Sequence, residues 1–405
     1  MSTTNRLGEY VAQVTDGVLR NDKLRALFPA FVGIFLVGEL YKQALPLYFE
    51  AVGIPLAVLG VVKSAANAVE IGVSPVAGVL ADRTDRMGLA AVAAVAASVV
   101  LAAFALRPGR AVVTGLVVLT AVALLLLNNA ITPAVNAALE EGVEGIGWGV
   151  RDVGMYLGSG VGLAAAGALV SRTERVEVIF LVAVPVLLGV GAVAWRRRSG
   201  GALRAALSDI ELDDLFAIGV REQVRSVSNR RLLYAFCLVE LATTAGMGMT
   251  MFLLPALATD LGLAASGYLF VYSASRLVGA PASLVGGVAA DHLPKKWLFV
   301  ANYAVEGAML VAFGLADGPA LFLVGMALFV VQTTFEPGVV AYFFDNFDDE
   351  EGGTIWGIKG SVHKVANVAA PVVGGGLYAI DPHLSFLAGG GLMLVGSGIA
   401  TTLPR

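Results

Sequence analysis

Cysteine is almost absent from this chain: Cys237, inside an apolar run, is the only one among 405 residues. No intramolecular disulfide and no cysteine metal site follows from it. Charge is scarce as well. Asp, Glu, Lys and Arg make up 14% of the residues, against about 25% in soluble domains. The net charge is −4, with no basic patch for nucleic acid. No Gly-x4-Gly-Lys-Ser/Thr loop offers an ATP site. No Gly-x-Ser-x-Gly, no His-Glu-x-x-His and no activated cysteine offers enzyme chemistry. No cofactor and no metal are therefore expected. The N-terminus shows no short apolar core ahead of a small-residue cleavage site, so no signal peptide is expected.

What the chain has in excess is hydrocarbon. It is 57% hydrophobic, with a mean hydropathy of +0.80. A globule of that composition would present far too much apolar surface to water, so its solvent is lipid. Glycine, 49 residues, is about 12% against a usual ~7%. Small residues let membrane helices approach closely where lipid gives them little drive to associate.

A spanning helix takes about 20 apolar residues. Twelve runs qualify: 25–47, 54–80, 87–106, 112–137, 148–170, 177–195, 232–257, 264–290, 297–316, 320–344, 355–378 and 383–402. The expected fold is all-α, with twelve transmembrane helices in two six-helix bundles. Residues 1–24 and the central stretch 199–230 are polar segments flanking the bundles 25–198 and 231–405. Leu7, Val11, Val14 and Val18 recur at helical spacing, as do Leu212, Leu215, Phe216 and Val220. Both segments read as interfacial helices, and 199–230 reads equally as a partly ordered linker. With the N-terminus inside, 17 Lys and Arg fall in cytoplasmic segments and 4 in outside loops. Both termini are then cytoplasmic, in the cell membrane.

The two bundles repeat one another. Gly78-Val-Leu-Ala-Asp82 returns as Gly287-Val-Ala-Ala-Asp291, 209 positions later. Leu45-Pro46, Gly53 and Ser64-Ala65 keep that offset with Leu254-Pro255, Gly262 and Ser273-Ala274. Trp148-Gly-Val-Arg151 matches Trp356-Gly-Ile-Lys359 at offset 208. Asn128 and Pro133 echo Gln332 and Pro337. A nearly constant register over this many matches marks a duplicated unit.

Gly78-Val-Leu-Ala-Asp82-Arg83-Thr-Asp85-Arg86 resembles the signature loop of the major facilitator superfamily. Its second copy, with His292, Pro294, Lys295 and Lys296, sits where that family repeats it. Asp85 and Pro294 stand where a glycine is usual, and His292 replaces an arginine. Early in span 4 the arginine of many proton-driven exporters is missing, and span 5 has Gly158-Ser159-Gly160 where antiporters favour Gly-Pro. The resemblance implies a monomeric secondary transporter, nearest to the exporter-like branch. It also implies two cytoplasmic latches between halves, Asp82 with Lys359 and Asp291 with Arg151; pairing within one half is the alternative.

Ionisable groups inside a bilayer cost ~2.5–3.5 kcal/mol on insertion scales and turn inward. Candidates for a substrate or proton pathway are Glu39, Lys63, Asn67, Glu70, Asn128, Glu240, Arg276, Gln332, Glu336, His363 and Lys364. Lys63, Asn67, Glu70 and Ser74 fall on one face of span 2, as a cavity wall would. Glu39 and Lys63 lie at similar depth and are expected to pair. Arg276 and Glu306, both close to the midplane, are expected to form a structural pair. Glu240, Glu336, His363 and Lys364 are expected to cluster toward the cytoplasm. Each has a plainer reading as a packing or helix-pairing group. Proton-coupled export of an organic or amphipathic compound is the leading function. Uptake or exchange of a polar or anionic metabolite is the second, and a non-transporting sensor or scaffold the third.

Overall fold

The computed structural model describes residues 22–140, 146–198, 229–346 and 349–404. Helices fill each expected run. They are α1 (Asp22–Ala51), α2 (Leu56–Arg83), α3 (Arg86–Phe104), α4 (Arg110–Glu140), α5 (Ile146–Thr173) and α6 (Val178–Arg196). The second set is α7a (Arg230–Thr250), α7b (Leu254–Asp260), α8 (Ala265–His292), α9 (Lys295–Gly314), α10a (Pro319–Thr333), α10b (Glu336–Asp345), α11 (Asp349–Ile380) and α12 (Pro382–Thr401). Among the described residues, ten helices are long and apolar enough to cross a membrane, or eleven if α10a and α10b count as one bent span. α11 has the length but not the composition, because Lys359, His363, Lys364 and Asn367 dilute its apolar run. The segments 1–21 and 199–228 lie outside the described residues, and with them the two expected interfacial helices.

Two expected spans are broken, each beside a proline. Pro255 opens α7b after the turn at residues 251–253. Pro337 opens α10b, and α10 bends by 47° there. Proline has no N–H to give and pushes the preceding residue out of helical backbone. Pro133, which echoes Pro337 in the repeat, stays inside the continuous helix α4.

The duplication is visible in the backbone. Gly53 (φ +68°) and Gly262 (φ +87°) both adopt left-handed backbone. Gly53 N donates to Glu50 O at 3.0 Å and Ile54 N to Phe49 O at 2.8 Å. Gly262 N donates to Thr259 O at 3.0 Å and Leu263 N to Ala258 O at 2.9 Å. These are the same helix-ending motif, twice, in one register. Packing repeats too. α1 rests on α4, α5 and α6, and α3 on α4 and α6; α7a rests on α11 and α12, and α9 on α10a and α12.

The halves meet along α2 with α11 and α5 with α8, with α7b touching α1. We call the end where α1 begins the near face and the other the far face. Toward the far face the seam is closed. Gly60 packs on the Pro371 carbonyl, and a Cβ on Gly375 would stand 3.2 Å from Ala57 Cα. Thr259 Oγ1 donates to Glu50 at 3.3 Å. The glycines of α5 divide by face. Gly154, Gly158 and Gly162 seat Phe28, Val32 and Leu36 of α1 within one half, while Gly160 and Gly167 seat Leu277 and Leu269 of α8 across the seam. Only the second group makes contacts between halves.

Candidate functional site

At mid-depth the seam holds a buried polar cluster built by four helices. Glu39 lies 12 residues before the far end of α1, and Arg276 lies 11 residues from the far end of α8. Both are therefore about 17 Å from their helices' far ends. Arg276 Nη2 stands 3.2 Å from Glu39 Oε2, with side chains 18% and 10% exposed. The same nitrogen donates to Tyr272 OH at 3.0 Å. Tyr272 OH donates to Glu39 Oε1 at 3.2 Å, and Gln43 Nε2 donates to that oxygen at 2.7 Å. Tyr268 OH completes the chain by donating to Gln43 Oε1 at 2.5 Å. α1 thus presents Glu39 and Gln43 one turn apart, and α8 presents Tyr268, Tyr272 and Arg276 in the same way.

Rings surround the guanidinium. Its Cζ lies 5.4 Å from the Tyr156 ring, 5.2 Å from Tyr272 and 5.1 Å from Phe329. Tyr156, on α5, donates its hydroxyl to Glu336 at the start of α10b, 2.7 Å away. Lys42 adds a second cation 3.9 Å from Glu39, with its own side chain 64% exposed.

This arrangement corrects two expectations. Glu39 pairs with Arg276 of the other half, and Lys63 instead lies 5.8 Å from the centre of the Phe252 ring. Arg276 does not pair with Glu306. Among the described residues Glu306 has no cation partner; it is buried beside Asn302, which accepts from Gln332 Nε2 at 2.9 Å. Gln332 therefore faces α9 and is buried, away from the seam.

The polar stripe of α2 does face the other half. Asn67 Nδ2 donates to the Asn367 carbonyl at 2.5 Å, and Lys364 Nζ donates to Ser74 at 2.7 Å. Glu70 is part-exposed on the same stripe, and Asn128 on α4 is exposed, accepting from Thr132 at 2.5 Å. A separate cluster ties α7a to α11. His363 Nδ1 is 2.9 Å and Lys359 Nζ 3.7 Å from Glu240, which also accepts from Thr244 at 3.0 Å. The expected group of Glu240, Glu336, His363 and Lys364 is thus split. Glu240 with His363 joins two helices of one half, while Glu336 and Lys364 reach across the seam. His363, Lys364 and Glu336 are exposed. Charged groups inside a bilayer are costly when they face lipid.

Of the signature loop, the backbone and parts of its rim are described. Asp85 caps α3, its Oδ1 accepting from Met87 N at 3.2 Å. That gives the departure from glycine a role. Arg86 Nε donates to Ala81 O at 3.1 Å, and Gly287 lies within α8. Gly78 and the side chains of Asp82, Arg83, Arg151 and Asp291 lie outside what the structure describes, and the expected latches with them. Sequence reasoning missed Gln43, Tyr156, Tyr268, Tyr272 and Phe329. The one-turn spacing of Glu39 with Gln43, and of Tyr268, Tyr272 and Arg276, was the available signal.

A duplicated helical bundle in lipid, with its halves meeting on a buried charged seam, defines a membrane carrier. The profile of the Major Facilitator Superfamily matches residues 27–336 and 236–404, and the chain belongs to that family. It is a multi-pass membrane transporter and not an enzyme. Among solved structures it is similar to the nucleoside transporter NupG, at 11% identity and a TM-score of 0.70, over 94% of this chain and 96% of that one. It is also similar to the human organic anion transporter MFSD10 (TETRAN), at 13% identity and a TM-score of 0.62, over 94% of this chain and 99% of that one. No curated protein matches by sequence.

Proposed function

We propose that the protein moves a small organic solute across the cytoplasmic membrane by alternating access. The bodies that move are 25–198 and 231–405, joined by 199–230. The near face is cytoplasmic, as the Lys and Arg bias indicates. One observation carries this reading: the Glu39–Arg276 pair and its tyrosines bridge the halves at mid-depth under a closed far face. Opening the far face must break that pair, and the gap it leaves is polar. A midplane site between repeats is where such carriers bind.

Proton-coupled export is the reading we carry forward for energy and direction. Its carboxylates are Glu240, held by Lys359 and His363, and Glu336, held by Tyr156. Uptake or exchange of a polar or anionic metabolite is the second reading, its anionic form favoured by Lys42, Arg276 and Lys364 along the seam. The similar structures are of a nucleoside transporter and an organic anion transporter, so the test panel spans both chemistries. Purified protein in liposomes is given nucleosides, aromatic carboxylates and amphipathic amines under imposed pH gradients of either sign. Solute-dependent dissipation of the gradient is expected, and its loss in Glu240→Gln or Glu336→Gln identifies the coupling carboxylate. Movement without any proton flux would remove the coupling. No movement of any solute under any ion gradient would turn the reading to a sensor or scaffold.

A further inference from the structure

We propose that Arg276 is the receptor for a carboxylate group on an organic, ring-bearing substrate, and that Glu39 occupies its place when the site is empty. The proposal rests on the seam being the solute path.

Three observations carry it. First, the guanidinium is underused. Of its five N–H donors, Nη2 serves Glu39 and Tyr272. Nε is buried with no partner, and no acceptor among the described residues bonds Nη1. An unmet donor set of this kind is costly in a dry site, and a carboxylate ligand has four lone-pair positions to meet it. Second, the site already shows what fits. A carboxylate, that of Glu39, docks on Arg276 at 3.2 Å. It comes from the opposite half, so another carboxylate can replace it without unfolding either helix. The displaced Glu39 has a second cation waiting, since Lys42 Nζ is 3.9 Å away on an exposed side chain. Arg276 and Lys42 are two cations around the single carboxylate of Glu39. Glu336, the other carboxylate of the cluster, is engaged by the Tyr156 hydroxyl at 2.7 Å. Third, the walls are rings. Tyr156, Tyr272 and Phe329 stand 5.1–5.4 Å from the guanidinium carbon, and Tyr272 and Phe329 stack at 5.6 Å. A flat unsaturated body lies on such walls more favourably than a sugar or an alkyl ammonium does.

Binding by displacement has a consequence for the cycle. The ligand breaks the one ion pair between the halves at mid-depth among the described residues, so it loosens the closed far face as it binds.

The test uses benzoate as the anion, with benzamide and benzylamine as its neutral and cationic counterparts. Binding to purified protein in nanodiscs is read by calorimetry. Wild type should bind benzoate and neither counterpart. Glu39→Gln removes the resident competitor while keeping a side chain that bonds Gln43, so benzoate should bind about tenfold more tightly or better. Arg276→Gln should abolish binding. Because that variant leaves Glu39 with Lys42 as its one cation, the double variant Glu39→Gln with Arg276→Gln, which leaves a neutral pair, must give the same loss while eluting and melting as a folded protein. Equal binding of benzamide, unchanged or weaker benzoate binding in Glu39→Gln, or retained binding in the double variant would each overturn the proposal. If liposomes carry a nucleoside or an amine and Arg276→Gln does not alter that flux, this inference falls and the transporter reading stands. If wild type carries nothing, it is the transporter reading that falls.

Discussion

Replacing Glu39 with glutamine should open the far face. The Glu39–Arg276 pair joins α1 to α8 and exists only while the halves are together there. Breaking a buried ion pair by removing one partner costs about 3–5 kcal/mol. Arg276 retains part of its stabilisation: its side chain is 18% exposed, and ring faces near a cation contribute roughly 0.5–1 kcal/mol each at accessible sites. The net penalty on the closed state is then about 2 kcal/mol, or about 30-fold in the closed-to-open ratio. Spin labels report it directly. Leu106 and Leu315, exposed in the far loops of the two halves, become cysteines in a Cys237→Ser background. Double electron–electron resonance should show a longer-distance component growing in Glu39→Gln and in Arg276→Gln. The double variant should shift by less than the sum of the singles, because two neutral groups leave no stranded charge. Identical distance distributions in all four proteins would show that the pair does not hold the halves together.

Other outcomes follow from the packing and the loops. Gly158→Ala should lower the melting temperature, by about 1–3 kcal/mol of overpacking, because the new methyl meets Val32 Cγ1 at 2.5 Å; Gly376→Ala, with nothing within 4 Å, should leave it unchanged, and equal melting of the two would refute the α1–α5 contact. Glu177 accepts from Arg107 at 2.9 Å and Arg175 at 2.8 Å in the far loops; burial pushes its carboxyl up, but these hydrogen bonds outweigh burial and hold it below the usual range. Its stabilisation is thus full above the unfolded value of about 4.3 and disappears as pH falls through the lower folded value. Glu177→Gln should melt below wild type at pH 7 and converge with it in acid; a gap independent of pH would contradict this. A cysteine at Gly109 should label from outside intact cells, and one at Gly200 only after permeabilisation; the reverse pattern would invert the membrane orientation. If the cytoplasmic latch exists, Asp82→Asn should slow flux and the swap Asp82→Lys with Lys359→Asp should restore part of it; no rescue would assign Asp82 to its own half.

Much of the fold was legible because lipid makes it a one-dimensional problem. Apolar run length sets each span, and a span's ends fall where polar residues begin. The left-handed Gly53 and Gly262 had already matched in the repeat register. Residue count also gives each of Glu39, Lys63, Arg276 and Glu306 an expected depth along its helix. It gives no rotation about the helix axis. Glu39 and Lys63 serve different neighbours, and Arg276 turns to α1 while Glu306 turns into its own half. The α2 stripe succeeded because Lys63, Asn67, Glu70 and Ser74 fix a rotation by themselves. The tyrosines of α8 failed as a signal because aromatic residues at helical spacing also describe ordinary packing. The break at Pro337 and the continuity at Pro133 were not separable in sequence, since a proline in a span bends or not according to its neighbours.

Alternating access itself is tested most directly by locking the far face. Gly375 and Ala57 approach so closely that a Cβ on the first would be 3.2 Å from Cα of the second, within reach of a disulfide. Ala57→Cys with Gly375→Cys, in the Cys237→Ser background, is oxidised in liposomes, and flux of the solute identified by the panel is followed. Flux should vanish on oxidation and return in full with reductant. A cross-linked protein that carries solute at the rate of the reduced one contradicts the alternating movement of the two halves.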